Sequence, residues 1–447
     1  MLNSLRIQNF KSWQDTGDIQ FGSITGFFGT NSSGKTSILQ FLLMLKQTVE
    51  SSDRAQILNL GDERSYVELG TMHDVIYNHS EDNKLLFQIK WNQTEWIVPP
   101  DEDGFLIDLP EIRFEAEISQ QKDLIVVHYF KYEQDERNIG MTKSLETNEY
   151  ILEGRLSDSS KKQRVKTKSA PLKFYIPPYS FGIGIMNSDS SQDLIFDFEN
   201  LFTETYYLGP LREYPSRLYL WGGERPGNIG NRGAGSVAAI LASNKSEPTI
   251  YMGEGNPRRS LEQHVAYWLK ELGLIHSFEV RPIAPNRKEY EVRIKRTAES
   301  AEVFLTDVGF GVSQLLPVLV LLFYVPEGST IILEQPEIHL HPAVQAGLAD
   351  VFIDAIKRRN VQIILESHSE HLLQRLQRRL AEEALPTDQV KLYFTDFVGA
   401  ASTLTPLDLD EYGNIRNWPN NFFGDSFADA SAMMDAELKR REAAGEK

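Results

Sequence analysis

The 447-residue chain contains no cysteine. That absence excludes disulfide staples, thiolate metal sites and cysteine nucleophiles at once. Long apolar runs are missing too. The longest, Leu315 to Val325, is too short to cross a bilayer and contains Pro317. It is expected as a buried helix, and no membrane partner is expected. The N-terminus, Met1-Leu-Asn-Ser-Leu-Arg-Ile-Gln-Asn-Phe10, lacks the basic start and apolar run of a secretory signal, so the expected location is the cytoplasm. Positive charge is scarce, with 46 basic against 63 acidic residues, a net charge of −17 and a pI of about 5.1. Such a balance argues against a general polyanion-binding surface and leaves room only for a local basic groove. There is no internal repeat, low-complexity tract or sustained heptad pattern. What is there is a globular composition, 41% hydrophobic and 24% charged, in a chain long enough for roughly one to three domains.

Residues Gly29-Thr-Asn-Ser-Ser-Gly-Lys-Thr36 match G-x-x-x-x-G-K-[ST], a loop that cradles phosphate. Gly29 leaves a strand in a turn that a Cβ would obstruct, and Gly34 lets the backbone close round an anion. The N–H groups of Thr30, Asn31, Ser32, Ser33, Lys35, Thr36 and Ser37 are candidate phosphate donors. Lys35 brings positive charge to the β and γ phosphates, and the Thr36 hydroxyl is the expected Mg²⁺ ligand. The setting is right: a β-prone run, Ser23 to Phe28, precedes the loop and a helix-prone run, Ser37 to Leu45, follows it. ATP and Mg²⁺ are the cofactors this implies.

A second group of motifs lies far along the chain. Thr330-Ile-Ile-Leu333 reads as a buried strand ending in Glu334-Gln-Pro-Glu337, the pattern in which an acid at a strand tip holds Mg²⁺. Pro342 suits the first turn of a helix, and Val344, Leu348, Phe352 and Ile356 give that helix one apolar face. A further strand, Val361 to Leu365, ends in Glu366-Ser-His-Ser369. Strand, helix, strand predicts two parallel strands whose tips share the edge of the phosphate loop. Glu334, Glu337 and His368 are therefore expected to converge on the phosphates. Upstream, Asp307-Val-Gly-Phe-Gly-Val-Ser-Gln314 combines a glycine turn with a helix N-terminus, a second candidate anion site formed by Gly309, Gly311 and Ser313.

These motifs resemble the ABC-type ATPase heads of the SMC, RecF and OLD (overcoming lysogenization defect) group, and more narrowly bacterial AAA-type ATPases ending in a small C-terminal domain of unknown function. The resemblance is carried by Leu5–Ser12, Gly29–Thr36, Tyr207–Arg212, Asp307–Gln314, Glu334–Pro342, Ser367–Ser369 and Asn417–Phe423. It implies an α/β P-loop head with a mixed or parallel core, an antiparallel section and a β-rich insertion. The implied units are a 1–80 lobe with the P-loop, an 81–200 insertion, a 201–415 lobe and a 416–447 C-terminal element. It also implies that Glu334 takes the Walker B place, His368 the switch-histidine place near the γ-phosphate, and Gly309 to Ser313 the signature loop, acting on the partner's nucleotide in a head-to-head dimer or higher oligomer. Proteins of this kind often work beside a nuclease or toxin in anti-phage defence, which makes an effector protein the expected partner. A DNA-repair ATPase and a non-hydrolysing ATP-sensing scaffold are the alternatives.

The chain departs from that pattern twice. Gln335 stands where many such heads carry the glutamate that activates water, and a carboxamide can orient water but cannot take its proton. Hydrolysis is then slow, or Glu337 substitutes. The signature lacks Leu-Ser-Gly-Gly-Gln, with Gly309 near the serine place and only Ser313 offering a hydroxyl. Elsewhere blander readings prevail. His339 and His341 are expected in a turn, and Asp408 with Asp410 in a turn rather than a nuclease site. Lys161 to Lys168 is expected as an exposed basic loop that could touch nucleic acid. Arg212 and Arg232 could reach a nucleotide or lie on the surface.

Overall fold

The computed structural model describes residues 1–93, 110–122, 124–147, 149–155, 163–178, 189–246, 250–253, 255, 257–419, 422–423, 431–437 and 440. Its centre is a six-stranded sheet in the order Thr205–Leu208, Thr330–Glu334, Gln362–Glu366, Ile24–Gly29, Val390–Val398, Ala401–Pro406. The first five strands are parallel and the last is antiparallel. Parallel strands covered on both faces read as unbroken apolar runs, and Ile331-Ile-Leu333 and Ile363-Ile-Leu365 do so.

Alternation along these strands sorts the side chains between two cores. Ile331, Leu333, Ile363 and Leu365 face a core built with the helices Phe310–Tyr324, Pro342–Arg359 and Glu370–Ala381. Ile332 and Ile364 face the other core, which contains the helix Lys35–Glu50. Continuing the alternation by two residues puts Glu334 and Glu366 on the face of the P-loop helix.

That helix lies between two sheets, so it buries Ile38, Leu39, Phe41, Leu42, Leu43, Met44 and Leu45 rather than one narrow stripe. The second sheet has nine strands, running through Gln163–Thr167, Tyr150–Arg155, Arg137–Lys143, Leu124–Gln134, Glu111–Gln121, Leu85–Asn92, Leu2–Phe10 and Trp13–Asp15, with Ile19–Gln20 also on Leu2–Phe10. The β-rich section expected after residue 81 is antiparallel, but it makes no sheet of its own. It extends the sheet begun by Leu2–Phe10, because Leu85–Asn92 pairs directly with that strand. Edge-to-face contacts from Phe10 to Phe41 and from Phe41 to Phe87, at 5.2 and 5.1 Å, tie these two neighbouring strands to the helix.

The expected basic loop needs correction. Residues 163–167 form an exposed edge strand paired with Tyr150–Arg155, and Arg164 meets Glu153; Lys161 and Lys162 lie outside the described residues. Within the 416–447 C-terminal element, residues 431–437 are helical and exposed. Asp408 and Asp410 do sit in a turn: Asp410 accepts the N–H groups of Tyr412 and Asn414.

Candidate functional site

The P-loop closes round a cavity of about 270 Å³ lined by Ser12, Asn31 to Ser37, Gln335, Glu366 and His368. Local backbone demands explain the glycines. Gly29 has φ +141°, and a Cβ there would stand 2.1 Å from the Thr395 carbonyl oxygen. Gly34 has φ +95° and caps the helix, and a Cβ there would meet the Ser402 hydroxyl at 2.5 Å. The loop is held from behind by the C-terminal strands. Thr395 Oγ1 lies 2.6 Å from Ser33 Oγ and donates to the Phe28 carbonyl at 3.1 Å, while Trp13 Nε1 donates to the Gly34 carbonyl.

Lys35 is buried, and its Nζ donates to the Gly29 and Thr30 carbonyls at 3.1 and 2.6 Å. Burial lowers its pKa, and the nearby Glu366 carboxylate partly offsets this. Thr36 Oγ1 donates to Glu366 Oε2 at 2.7 Å. Gln335 enters the cavity from a left-handed backbone, φ +43°, immediately after the strand Thr330–Glu334. That conformation costs a side-chain-bearing residue about 1 kcal/mol or more, so surrounding contacts must hold it. Its N–H donates to the Glu366 carbonyl at 2.9 Å. His368 is half-buried at the rim, and burial, then the Lys35 charge, lowers its pKa, which keeps the imidazole neutral at pH 7.

Two expected site residues stand behind the cavity wall. Glu334 is buried, and its Oε1 accepts the Tyr207 hydroxyl at 3.0 Å. Burial, then the Glu366 charge, pushes its pKa up to about 7. Glu337 is buried as well, with Oε1 accepting both the Ser367 hydroxyl and the His368 N–H at 2.7 Å. Burial raises its pKa. Glu337 therefore touches the switch segment through its backbone and does not line the cavity.

Arg212 is not on the surface and does not line the cavity. It is buried behind the same wall, bonded to the Gly209 and Glu334 carbonyls, and burial pushes its pKa down to about 10. Arg232 is exposed.

The signature segment lies apart from this cavity. Gly309 is the N-cap of the helix Phe310–Tyr324. A Cβ on Gly309 would meet nothing, and one on Gly311 would make only ordinary contact. Ser313 is buried, with its hydroxyl turned back to the Phe310 carbonyl. The surface-facing side chain is instead Phe310, 56% exposed, beside Tyr214. His341 caps the helix Pro342–Arg359, its Nδ1 accepting the Ala343 N–H.

Ser12 and Glu366 line the cavity although the sequence motifs assign neither a role there; for Glu366 the signal lies in its strand. Ile331-Ile-Leu-Glu334 and Ile363-Ile-Leu-Glu366 are the same tetrapeptide on neighbouring strands.

A family model described as "AAA domain, putative AbiEii toxin, Type IV TA system" matches residues 24–374. A second, "Protein of unknown function (DUF3696)", matches residues 385–432. That second match includes the strand Val390–Val398, which pairs with the P-loop strand, so it completes the central sheet. No curated protein matches the chain. Among solved structures, the chain is similar to an SMC head domain from Thermotoga maritima, at 12% identity and TM-score 0.41, covering 91% of this chain and 99% of that one. It is also similar to an Smc head with an extended coiled coil bound to the C-terminal domain of ScpA, derived from Pyrococcus furiosus, at 10% identity and TM-score 0.46, covering 91% and 96%. An Smc head bound to the C-winged helix domain of ScpA matches at 11% identity and TM-score 0.45, covering 92% and 98%.

Proposed function

The chain belongs to this AAA-domain family, and we propose that it binds Mg·ATP in the P-loop cavity, hydrolyses it slowly, and uses the bound state to gate a partner effector. The observation that carries the reading is the cavity itself. Loop N–H groups, Lys35, Thr36, Gln335 and His368 surround one space, with an anion-binding floor and polar groups opposite it. The oxygen donors around Thr36 suit Mg²⁺, a hard cation that prefers oxygen ligands. When bound, Mg²⁺ supplies charge neutralisation for the transferring phosphoryl group. The chain's own groups then divide the work. Lys35 and the loop N–H groups hold the phosphates. Gln335 and His368 orient water by hydrogen bonding. Glu337 fixes the backbone that carries His368.

Slow turnover follows from chemistry. Gln335 cannot accept a proton, and loss of a positioned general base removes about 10²–10⁴-fold of rate. The family description names a toxin–antitoxin setting, which supports a place in defence; the effector in this reading is a nuclease or toxin. Exposed Phe310 and Tyr214 beside the signature turn support docking of a second head. Purified protein is expected to release phosphate from Mg·ATP at a low rate that Lys35→Ala abolishes. Hydrolysis unaffected by Lys35→Ala would overturn the site assignment. ATP binding without any release would leave a held-ATP switch, the reading that Gln335 favours.

A further inference from the structure

We propose that the cavity walled by Arg258, Arg259, Gln263 and Tyr267 is a second binding site, remote from the P-loop, for a phosphate monoester that carries a flat organic group, the chemical class of a nucleoside monophosphate. The inference goes beyond the Mg·ATP reading and does not depend on it.

The walls supply the first argument. The cavity encloses about 600 Å³ and is lined by Met252, Pro257, Arg258, Arg259, Gln263 and Tyr267, a size within the roughly 300–1,000 Å³ of small-molecule sites. No carboxylate lines it among the described residues. Its polar groups are chiefly donors. The guanidinium groups can only donate. Gln263 Oε1 accepts the Ser260 N–H in the capping box of the helix Leu261–Glu271, which leaves the Nε2 donor as that amide's remaining polar group.

The charge supplies the second argument. Acids close by in the fold are already taken. Asp354 meets His264 Nε2 at 2.8 Å, Trp268 Nε1 at 2.9 Å and Arg358, and Glu262 accepts from Asn244 and from the Val280 N–H. Arg258 is exposed and forms no ion pair among the described residues. Arg259 Nη1 is buried and meets no acceptor among them, and a charged donor shut off from water without a partner is destabilising. Arg259 is also held in place. Its backbone exchanges hydrogen bonds of 3.0 and 3.1 Å with the fully buried Ile250, and its guanidinium lies over the Tyr267 ring, 4.2 Å from the centroid. Stacking fixes the guanidinium plane and leaves its edge for in-plane bonding to an oxyanion.

Two cationic donors suit a phosphate dianion better than a single carboxylate charge. Tyr267, Met252 and Pro257 add an aromatic and apolar wall, which a bare anion would leave unused and a flat ring would cover. The site is far from the phosphate loop. His264 packs on Phe323 in the last turn of the helix Phe310–Tyr324, and Arg358, in the last turn of Pro342–Arg359, donates to the Tyr251 carbonyl at 2.6 Å. The first of these helices starts at the signature turn and the second just beyond Glu334–His341. At about 1.5 Å per residue they put roughly 20–25 Å between those starts and this cavity.

AMP is the probe, titrated calorimetrically in EDTA into the full-length Lys35→Ala protein so that the P-loop does not contribute. Arg258→Gln and Arg259→Gln, each added to that protein, are expected to weaken AMP binding by about ten-fold or more, the scale of a lost charge-assisted bond. Arg137→Gln, at an exposed arginine of the nine-stranded sheet, should leave it unchanged. Inorganic phosphate and adenosine should each bind at least about five-fold more weakly than AMP, since each fills half of the site. Circular dichroism checks folding; Arg258 is exposed, so its variant carries the test if Arg259→Gln does not fold. No AMP binding, binding untouched by Arg258→Gln, or an equal loss at Arg137→Gln overturns the proposal. Inorganic phosphate as tight as AMP would reduce the site to a plain anion pocket and overturn the nucleotide class. A short oligothymidylate that binds through Arg258 where AMP does not would overturn it in favour of a nucleic-acid strand.

Discussion

Glu337 offers the sharpest division between a group that takes a proton and a group that holds another in place. Its Oε1 accepts the Ser367 hydroxyl and the His368 N–H, both at 2.7 Å, and Ser367 is fully buried. Hydrogen bonds to a charged group contribute about 1.5–3 kcal/mol each, and a buried donor left alone costs about 1–3 kcal/mol. Glu337→Ala removes two such bonds and strands both donors, a loss on the order of 3–5 kcal/mol that also frees the backbone of His368. Glu337→Gln keeps an acceptor oxygen in the same place and is expected to cost about 1 kcal/mol. The kinetic consequences then separate. If Glu337 positions, as its contacts indicate, the Gln variant stays within about five-fold of wild-type turnover, while the Ala variant falls further and melts several degrees lower. If Glu337 is the base, the amide loses about 10²–10⁴-fold. The assay is steady-state phosphate release paired with thermal unfolding in EDTA. A Gln variant as inactive as the Ala variant, with an undisturbed melt, refutes the positioning role.

Further outcomes concern charge and the loop. Glu334 has an ordinary pKa of 4.5 that burial raises to about 7, so the folded state holds its proton more tightly than the unfolded state does. The stability this contributes is fully present below about pH 4.5 and is lost as pH rises through about 7. Metal-free Glu334→Gln, neutral throughout and still able to accept from Tyr207, is therefore expected to match wild type near pH 4. It should exceed wild type at pH 8 by at most about 3 kcal/mol; a pH-independent difference in EDTA melts would contradict this. His368 and His264, whose pKa values burial lowers, act in the opposite sense below about pH 6.5 and cancel in the comparison. Thr395→Val removes the hydroxyl that meets Ser33 and Phe28. It is expected to weaken ATP binding several-fold at a stability cost of about 1–3 kcal/mol, and ATP affinity equal to wild type by titration would show that the P-loop needs no such buttress.

The sequence by itself determined the elements whose cause is local. Gly29, Gly34, Lys35 and Thr36 are legible because a phosphate loop needs glycine conformations and a fixed order of donors. The strand, helix, strand unit from Thr330 to Glu366 is legible because apolar runs and Pro342 announce it, and parallel pairing follows from its length. The helix Leu261–Glu271 buries Leu261, Val265 and Leu269, spaced four apart on one face, and Ser260 with Gln263 closes its capping box. Tertiary structure decided what depends on neighbours distant in the chain. The pairing of Leu85–Asn92 with Leu2–Phe10 made one sheet of what reads as a lobe and an insertion, because hydrogen bonding between edges leaves no periodic trace along either strand. Which carboxylate faces the cavity was settled by strand order and register. Glu334 and Glu366 end identical tetrapeptides, and only their distance from the P-loop strand tells them apart. Arg212, Glu337 and Ser313 look available in the sequence and are buried in the fold, since burial belongs to the packed neighbours and not to the residue.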